Sequence, residues 1–149
     1  MWKDDMKKEK LNNLQSAIEQ AFSIRKDAYA PYSHFKVGAA LVTAEGKIYK
    51  GCNIENAAFT PGNCAERTAF FKAVSEGERD FSYIVVTGGE ESLQSEMTDY
   101  CPPCGVCLQV MMEFCQPETF QVVAAKSKTD YKVFLLKELL PQGFGAKFL

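Results

Sequence analysis

Basic residues never stand more than two in a row in this chain, and no apolar stretch approaches the roughly eighteen residues that mark a membrane span. The segment Met1 to Lys10 is rich in Lys, Asp and Glu and has no apolar stretch of signal-peptide length. Internal repeats and low-complexity segments are also missing. With a formal net charge of −2 and lysines and arginines spread evenly, the chain is poorly equipped to grip a phosphate backbone, so no nucleic-acid partner is expected. A soluble, cytoplasmic protein without membrane contact is expected. In a reducing compartment the six cysteines, at 52, 64, 101, 104, 107 and 115, read as metal ligands and buried thiols rather than disulfides.

A length of 149 residues with 46% hydrophobic content suits one core and is short for two, which gives a single domain over residues 1–149. Leu11, Leu14, Ile18, Ala21, Phe22 and Ala28 recur at steps of three and four, with Glu19, Gln20, Arg25 and Lys26 between them. This predicts an amphipathic helix that ends near Tyr29, before Pro31. Runs at 35–43 and 47–53, joined by Ala44-Glu45-Gly46, predict a hairpin. A second helix is expected from Cys64, with Ala65, Ala69 and Ala73 as a small-residue face and Gly77 as its stop. Ile84 to Thr87 reads as a short buried strand ending at Gly88-Gly89, and residues 90–99 as a polar surface loop. A third helix from Cys104 presents Cys107, Val110, Met111 and Phe114, and strands at 119–125 and 131–134 follow. The order implies an α/β fold: a three-layer α/β/α sandwich around a mixed sheet.

Two short motifs forty residues apart carry the chemistry: Cys64-Ala65-Glu66 and Pro103-Cys104-Gly105-Val106-Cys107. Three thiolates fill three corners of a tetrahedral zinc ion and leave the fourth open, as in catalytic rather than structural sites. Each cysteine group is expected at the start of a helix, where free N–H groups and the helix dipole favour thiolate. Glu66 has two readings. Asn63-Cys64-Ala65-Glu66 is a capping-box pattern, but a carboxylate two residues from a ligand also reaches a metal-activated water without ligating, which suits general acid–base catalysis. Arg67 is placed to donate to the sulfurs and draw negative charge from the metal. Cys101 forms a further Cys-x-x-Cys with Cys104, but Pro102 and Pro103 hold it extended, which favours Cys107 as ligand. Cys52 and Cys115 read as small buried hydrophobes, and His34 as a surface or hydrogen-bonded residue.

Those motifs match the pattern of zinc deaminases, a Cys or His two residues before Glu and then Pro-Cys-x-x-Cys. Together with Ala30-Pro31-Tyr32-Ser33-His34-Phe35, Val37-Gly38-Ala39-Ala40-Leu41, Gly51-Cys52-Asn53-Ile54-Glu55-Asn56-Ala57, Cys64-Ala65-Glu66-Arg67-Thr68-Ala69, Lys72-Ala73-Val74-Ser75-Glu76-Gly77 and Glu138-Leu139-Leu140-Pro141, they closely resemble the small cytidine deaminases of nucleoside salvage. The likeness spans about Leu11 to Phe144. The resemblance implies a five-stranded mixed sheet, a homotetramer, Zn2+ as cofactor, a pyrimidine nucleoside as small-molecule substrate, and hydrolytic deamination of cytidine and deoxycytidine with loss of ammonia. It also implies Cys64, Cys104 and Cys107 as ligands, Glu66 as proton shuttle, Asn53 and Glu55 at the ribose hydroxyls, and the Ala65 amide at the pyrimidine carbonyl. Phe35 would pack beside the nucleoside, and Phe144 would stack on its ring from a neighbouring subunit.

Leu108 where the family usually has Arg, Phe59 where Tyr is common, and Pro102 with Cys101 before Pro103 depart from that pattern. They keep open a deaminase of a modified nucleoside or nucleoside antibiotic, and a zinc-stabilised binding module without turnover in which Cys101 closes the metal site.

Overall fold

The computed structural model describes Leu11 and residues 13–149, so the charged segment Met1 to Lys10 lies outside the described residues. Helix α1 (Leu14–Arg25) is followed by strands β1 (Phe35–Thr43) and β2 (Ile48–Cys52), helix α2 (Ala65–Ser75) and strand β3 (Phe81–Glu90). Helix α3 (Gly105–Phe114), strands β4 (Gln121–Ala125) and β5 (Tyr131–Leu135), a short helix α4 (Leu136–Leu139) and a 3-10 turn (Ala146–Phe148) complete the order. The sheet runs β2-β1-β3-β4-β5. Only β3 and β4 pair in parallel among these, with α3 as the crossover between them.

Alternation along the strands sorts side chains into two cores. Ala39, Leu41, Ile84, Val86 and Val122 face α2 and α3 together with Phe70, Phe120 and Met111. Ala40, Val42, Tyr83, Val85 and Val123 face α1, where Ala17, Ile18 and Ala21 are wholly buried. The three layers expected from the element order are present.

Two glycines let the helices lie against bare backbone. A Cβ on Gly51 of β2 would sit 2.4 Å from the carbonyl oxygen of Ala65 and 2.6 Å from the amide nitrogen of Ala69, both on α2. On the opposite face, a Cβ on Gly38 of β1 would come within 2.0 Å of the Ala21 carbonyl oxygen on α1. These are main-chain atoms that cannot swing aside. Gly51→Ala is therefore expected to destabilise the fold by about 3 kcal/mol or more, the upper range for forced overpacking. Gly105→Ala, where a Cβ meets nothing within 4 Å, should be neutral or stabilising. Urea midpoints of the two variants check the contrast.

The chain departs from the expected elements in four places. Helix α1 stops at Arg25 rather than near Tyr29, because Tyr29 bridges to Ile54: its N–H donates to the Asn53 carbonyl (3.0 Å) and its carbonyl accepts from Glu55 N–H (2.8 Å). Arg25, grouped above with the outward-facing charges, is 3% exposed. Strand β3 runs through Gly88 and Gly89, which pair with Val37 and Lys36. Those glycines make room for a returning segment, since a Cβ on Gly88 would lie 2.8 Å from Cys101 Sγ and one on Gly89 2.8 Å from Met97 Sδ. Finally, the segment after β3 is not wholly polar surface: Met97 is 1% exposed in the α1-side core, and Leu93 packs against that core.

Candidate active site

Cys64 and Cys104 each occupy the N-cap position, of α2 and α3 respectively, with extended backbone and no side-chain capping hydrogen bond. Both helices begin one residue later than the sequence reading, and the thiols are left unspent by capping. Cys107 follows in the first turn of α3 and is 1% exposed. The three Sγ atoms lie within 4.8 Å of one another, with Cys64–Cys104 at 3.8 Å and Cys104–Cys107 at 3.6 Å. Tetrahedral zinc with Zn–S bonds near 2.3 Å requires sulfurs about 3.75 Å apart, so the spacing fits that ion.

Hydrogen bonding from Cys107, and then from Arg67 and Cys104, pulls the Cys64 thiol down to about 5 against the effect of burial. Cys107, the donor in that pair and itself buried, is shifted upward. Arg67 Nη2 donates to Cys64 Sγ at 3.2 Å. Burial opposes its charge, but its bonds to Cys64 and Cys107 outweigh that and raise its pKa. Among the described residues its buried Nε has no hydrogen-bond partner.

Glu66 occupies the second position of α2 and is 4% exposed. Because the cap residue is Cys64 rather than Asn63, Glu66 is two residues past the cap and not three, and the capping-box reading of Asn63 to Glu66 does not hold. Burial raises its carboxyl to about 7; the Cys64 charge adds to the rise, while its own N–H, Cys107 and Arg67 act the other way. A carboxyl at that value is populated in both protonation states near neutrality.

A second group surrounds the start of β1. Asn53 Oδ1 accepts from Val37 N–H (2.8 Å) and its Nδ2 donates to the Phe35 carbonyl (2.8 Å). Glu55 Oε1 accepts from the N–H groups of Tyr32 (3.0 Å) and Ser33 (3.1 Å). Bonds with Ser33, chiefly its side chain, and with the Tyr32 amide hold the Glu55 carboxyl below its ordinary value against a contribution from burial. Phe35 is 42% exposed. Ala65, wholly buried, is the first residue of α2, where backbone N–H groups have no acceptor within the helix. Phe144 stands apart from both groups in its own chain contacts: its ring stacks on Phe148 (centroids 5.4 Å apart) and its carbonyl accepts from Gln109 Nε2 (2.9 Å).

The residues flagged as departures also have definite places. Leu108 is buried in the core beneath α2 and α3, Phe59 is fully exposed, and Cys101 lies against Gly88, outside the three-thiol cluster. Burial chiefly, with Glu66 and Cys64 adding, pushes the Cys101 thiol up to about 11. Cys52 and Cys115 are buried, and exposed His34 pairs through Nδ1 with Glu91 (3.2 Å).

The family model described as "Cytidine and deoxycytidylate deaminase zinc-binding region" matches residues 11–124, a stretch that contains every residue of the thiol cluster and Glu66. The chain belongs to the cytidine and deoxycytidylate deaminase family. A cytidine deaminase of Sporosarcina psychrophila is 43% identical over 137 residues, covering 92% of this chain and 95% of that protein. One from Halalkalibacterium halodurans is 44% identical over 133 residues, with 89% and 95% covered. The crystal structure of cytidine deaminase from Burkholderia pseudomallei superposes with a TM-score of 0.77 at 46% identity, covering 87% of this chain and 97% of that one. In this deaminase the mixed five-stranded sheet is thus the family fold, and a zinc-binding region that includes a three-thiol cluster of tetrahedral spacing fits Zn2+ as cofactor. Among the described residues no helix is long and apolar enough to cross a membrane.

Arg25 is the functional candidate that reading the sequence missed. It falls in the α1 stripe, seven residues after Ile18 and three after Phe22, and that register was the available signal.

Proposed function

We propose that this protein hydrolyses cytidine and deoxycytidine to uridine and deoxyuridine, releasing ammonia. The observation that carries the proposal is Glu66, a buried carboxyl raised to about 7 beside three thiols at zinc-ligand spacing. Cys64, Cys104 and Cys107 would hold the metal, with Arg67 donating to Cys64. When bound, zinc supplies a Lewis acid that makes water a nucleophile at neutral pH.

The remaining chemistry belongs to the chain. Glu66 accepts a proton from the attacking water and delivers it to ring N3 as the oxygen bonds to C4. It then carries the proton of the new hydroxyl to the amino group, the C4–N bond breaks, ammonia leaves and the C4 carbonyl forms. No proton is gained or lost overall, and one group needs to alternate between acid and base, which a value near neutrality permits.

The N–H of Ala65 would meet the pyrimidine carbonyl, and Phe35 would pack beside the nucleoside. Asn53 and Glu55 would hold the ribose hydroxyls. Glu55 Oε1 already accepts two amides, and a carboxylate has a second oxygen able to accept from a hydroxyl. A homotetramer in which Phe144 of one subunit stacks on a nucleoside bound by another is part of the same reading. Solvent-facing Phe59, Phe144 and Phe148 support it, because they are large apolar groups each more than half exposed in one chain. Six free cysteines fit a cytoplasmic location, and a net charge of −2 fits a small nucleoside better than a polynucleotide.

Ammonia release by the zinc-replete protein, with cytidine, deoxycytidine and CMP run in parallel, tests the proposal. Turnover of both nucleosides without CMP is expected. Failure with all three in a zinc-loaded protein would refute it.

A further inference from the structure

Arg25 reaches out of α1 under the sheet and spends its guanidinium on four main-chain carbonyls. Nε donates to Lys36 (2.9 Å), Nη1 to Leu93 (2.7 Å), and Nη2 to both Gly89 (2.9 Å) and Glu90 (2.6 Å). The reach depends on Gly38, where a Cβ would lie 2.8 Å from Arg25 N and 2.9 Å from its Cβ. A buried arginine with four carbonyl acceptors is a fixed fork rather than a mobile surface charge.

From these carbonyls a path of hydrogen bonds joined by short stretches of main chain leads to the residues assigned above to the sugar. Glu91, next to Glu90, donates its N–H to the His34 carbonyl (2.8 Å). His34 has φ 57°, a conformation that side-chain-bearing residues adopt only with support from their surroundings. The two residues before it, Tyr32 and Ser33, give their N–H groups to Glu55, and Ser33 Oγ accepts from Phe35 N–H (3.0 Å). The start of β1 is gripped from two sides: Asn53 binds the Phe35 carbonyl and the Val37 amide, and Arg25 binds the Lys36 carbonyl between them.

We propose that Arg25 is a positioning residue for the sugar end of the nucleoside site, acting through the 90–93 turn and the segment 32–35 on Glu55 and Phe35. The inference rests on the reading of those two residues as substrate contacts. Loss of the fork loosens the 90–93 turn, leaves His34 with its bond to the Ala30 carbonyl (3.0 Å) but a less firmly held partner in Glu91, and so loosens the amides that aim Glu55. The thiol cluster is insulated from this. It lies at the starts of α2 and α3, the helices on the opposite face of the sheet, and Met97 re-anchors the intervening segment by burial and by donating its N–H to the Lys126 carbonyl (2.8 Å). The effect therefore falls on substrate binding rather than on the chemical step.

The test compares wild type, Arg25→Met, Arg25→Lys and Glu91→Pro, each zinc-loaded, for kcat and KM on cytidine and for zinc content. Arg25→Met should raise KM about tenfold or more, with kcat within about twofold and zinc content unchanged. Arg25→Lys, with one point charge for a fork, should lie between. Glu91→Pro leaves the fork itself intact and removes both contacts of residue 91 with His34, the main-chain bond and the carboxylate pair at Nδ1, at the second position of the turn closed by Leu93 N–H and the Glu90 carbonyl, where proline is accommodated. It should raise KM in the same direction, and it decides the matter if Arg25→Met does not fold. An unchanged KM in folded variants, or a fall in kcat alone, overturns the inference while leaving the activity standing. A wild type inert toward cytidine overturns the underlying reading, and this inference with it.

Discussion

Glu66→Gln should give a folded protein that keeps its zinc and turns cytidine over about 10³ to 10⁴ times more slowly. The substitution preserves shape and hydrogen-bonding length in a pocket where Glu66 is 4% exposed, so packing offers no reason for a loss. It removes the one property on which the mechanism depends, a proton site that fills and empties near pH 7. The water, ring nitrogen and leaving amine would then have to exchange protons without a relay. Steady-state ammonia release, with metal content measured on the same sample, checks the expectation. Near-normal kcat in the Gln variant would remove Glu66 from the chemistry and reduce it to a buried partner of the cluster.

Replacing Cys107 by Ala should abolish both zinc retention and turnover, whereas Cys101→Ala should preserve both. Cys107 is 1% exposed and its sulfur lies 3.6 Å from that of Cys104, so its loss leaves two thiols at N-cap positions, too few to close a site around the ion. Because metal binding contributes free energy to the folded state, the Cys107 variant should also melt at a lower temperature than wild type, and added zinc should not restore it. Cys101 is close in sequence but packs against Gly88, with a thiol held protonated by burial. Metal analysis after gel filtration decides between the two thiols. If Cys101→Ala lost the ion as well, a four-sulfur closed site and the reading as a non-catalytic zinc module would return.

What could be read from the chain before its structure was largely what is local. Two helix starts placed Cys64, Cys104 and Cys107, because a Cys-x-x-Cys at the first turn has its geometry dictated by helical pitch. The hairpin, the small-residue face of Ala65, Ala69 and Ala73, and the two-sided sheet were legible for the same reason. Contacts between distant segments were not. Arg25 looked like a solvent-facing charge because its acceptors are backbone carbonyls at 36, 89, 90 and 93, which carry no side-chain signature. Gly88-Gly89 looked like a strand end, although the need for glycine there comes from Met97 and Cys101 folding back over the strand. Asn53 and Glu55 were singled out only by family resemblance, since their orientation follows from the bridge between Tyr29 and Ile54.

The bare contacts at Gly38 and Gly51 bear on how this protein can vary. Where α1 and α2 cross those positions, the height of each helix above the sheet is set by main-chain radii and not by the volume of any side chain. Exchanges among the surrounding Ile, Val, Leu and Phe residues would change how firmly the helices are held while leaving that height alone. Cys64 and Glu66 at the head of α2 are thereby insulated from drift in the aliphatic interior. The hydrophobic core of such a molecule can be rewritten extensively, by evolution or by design, before the placement of its chemistry begins to shift.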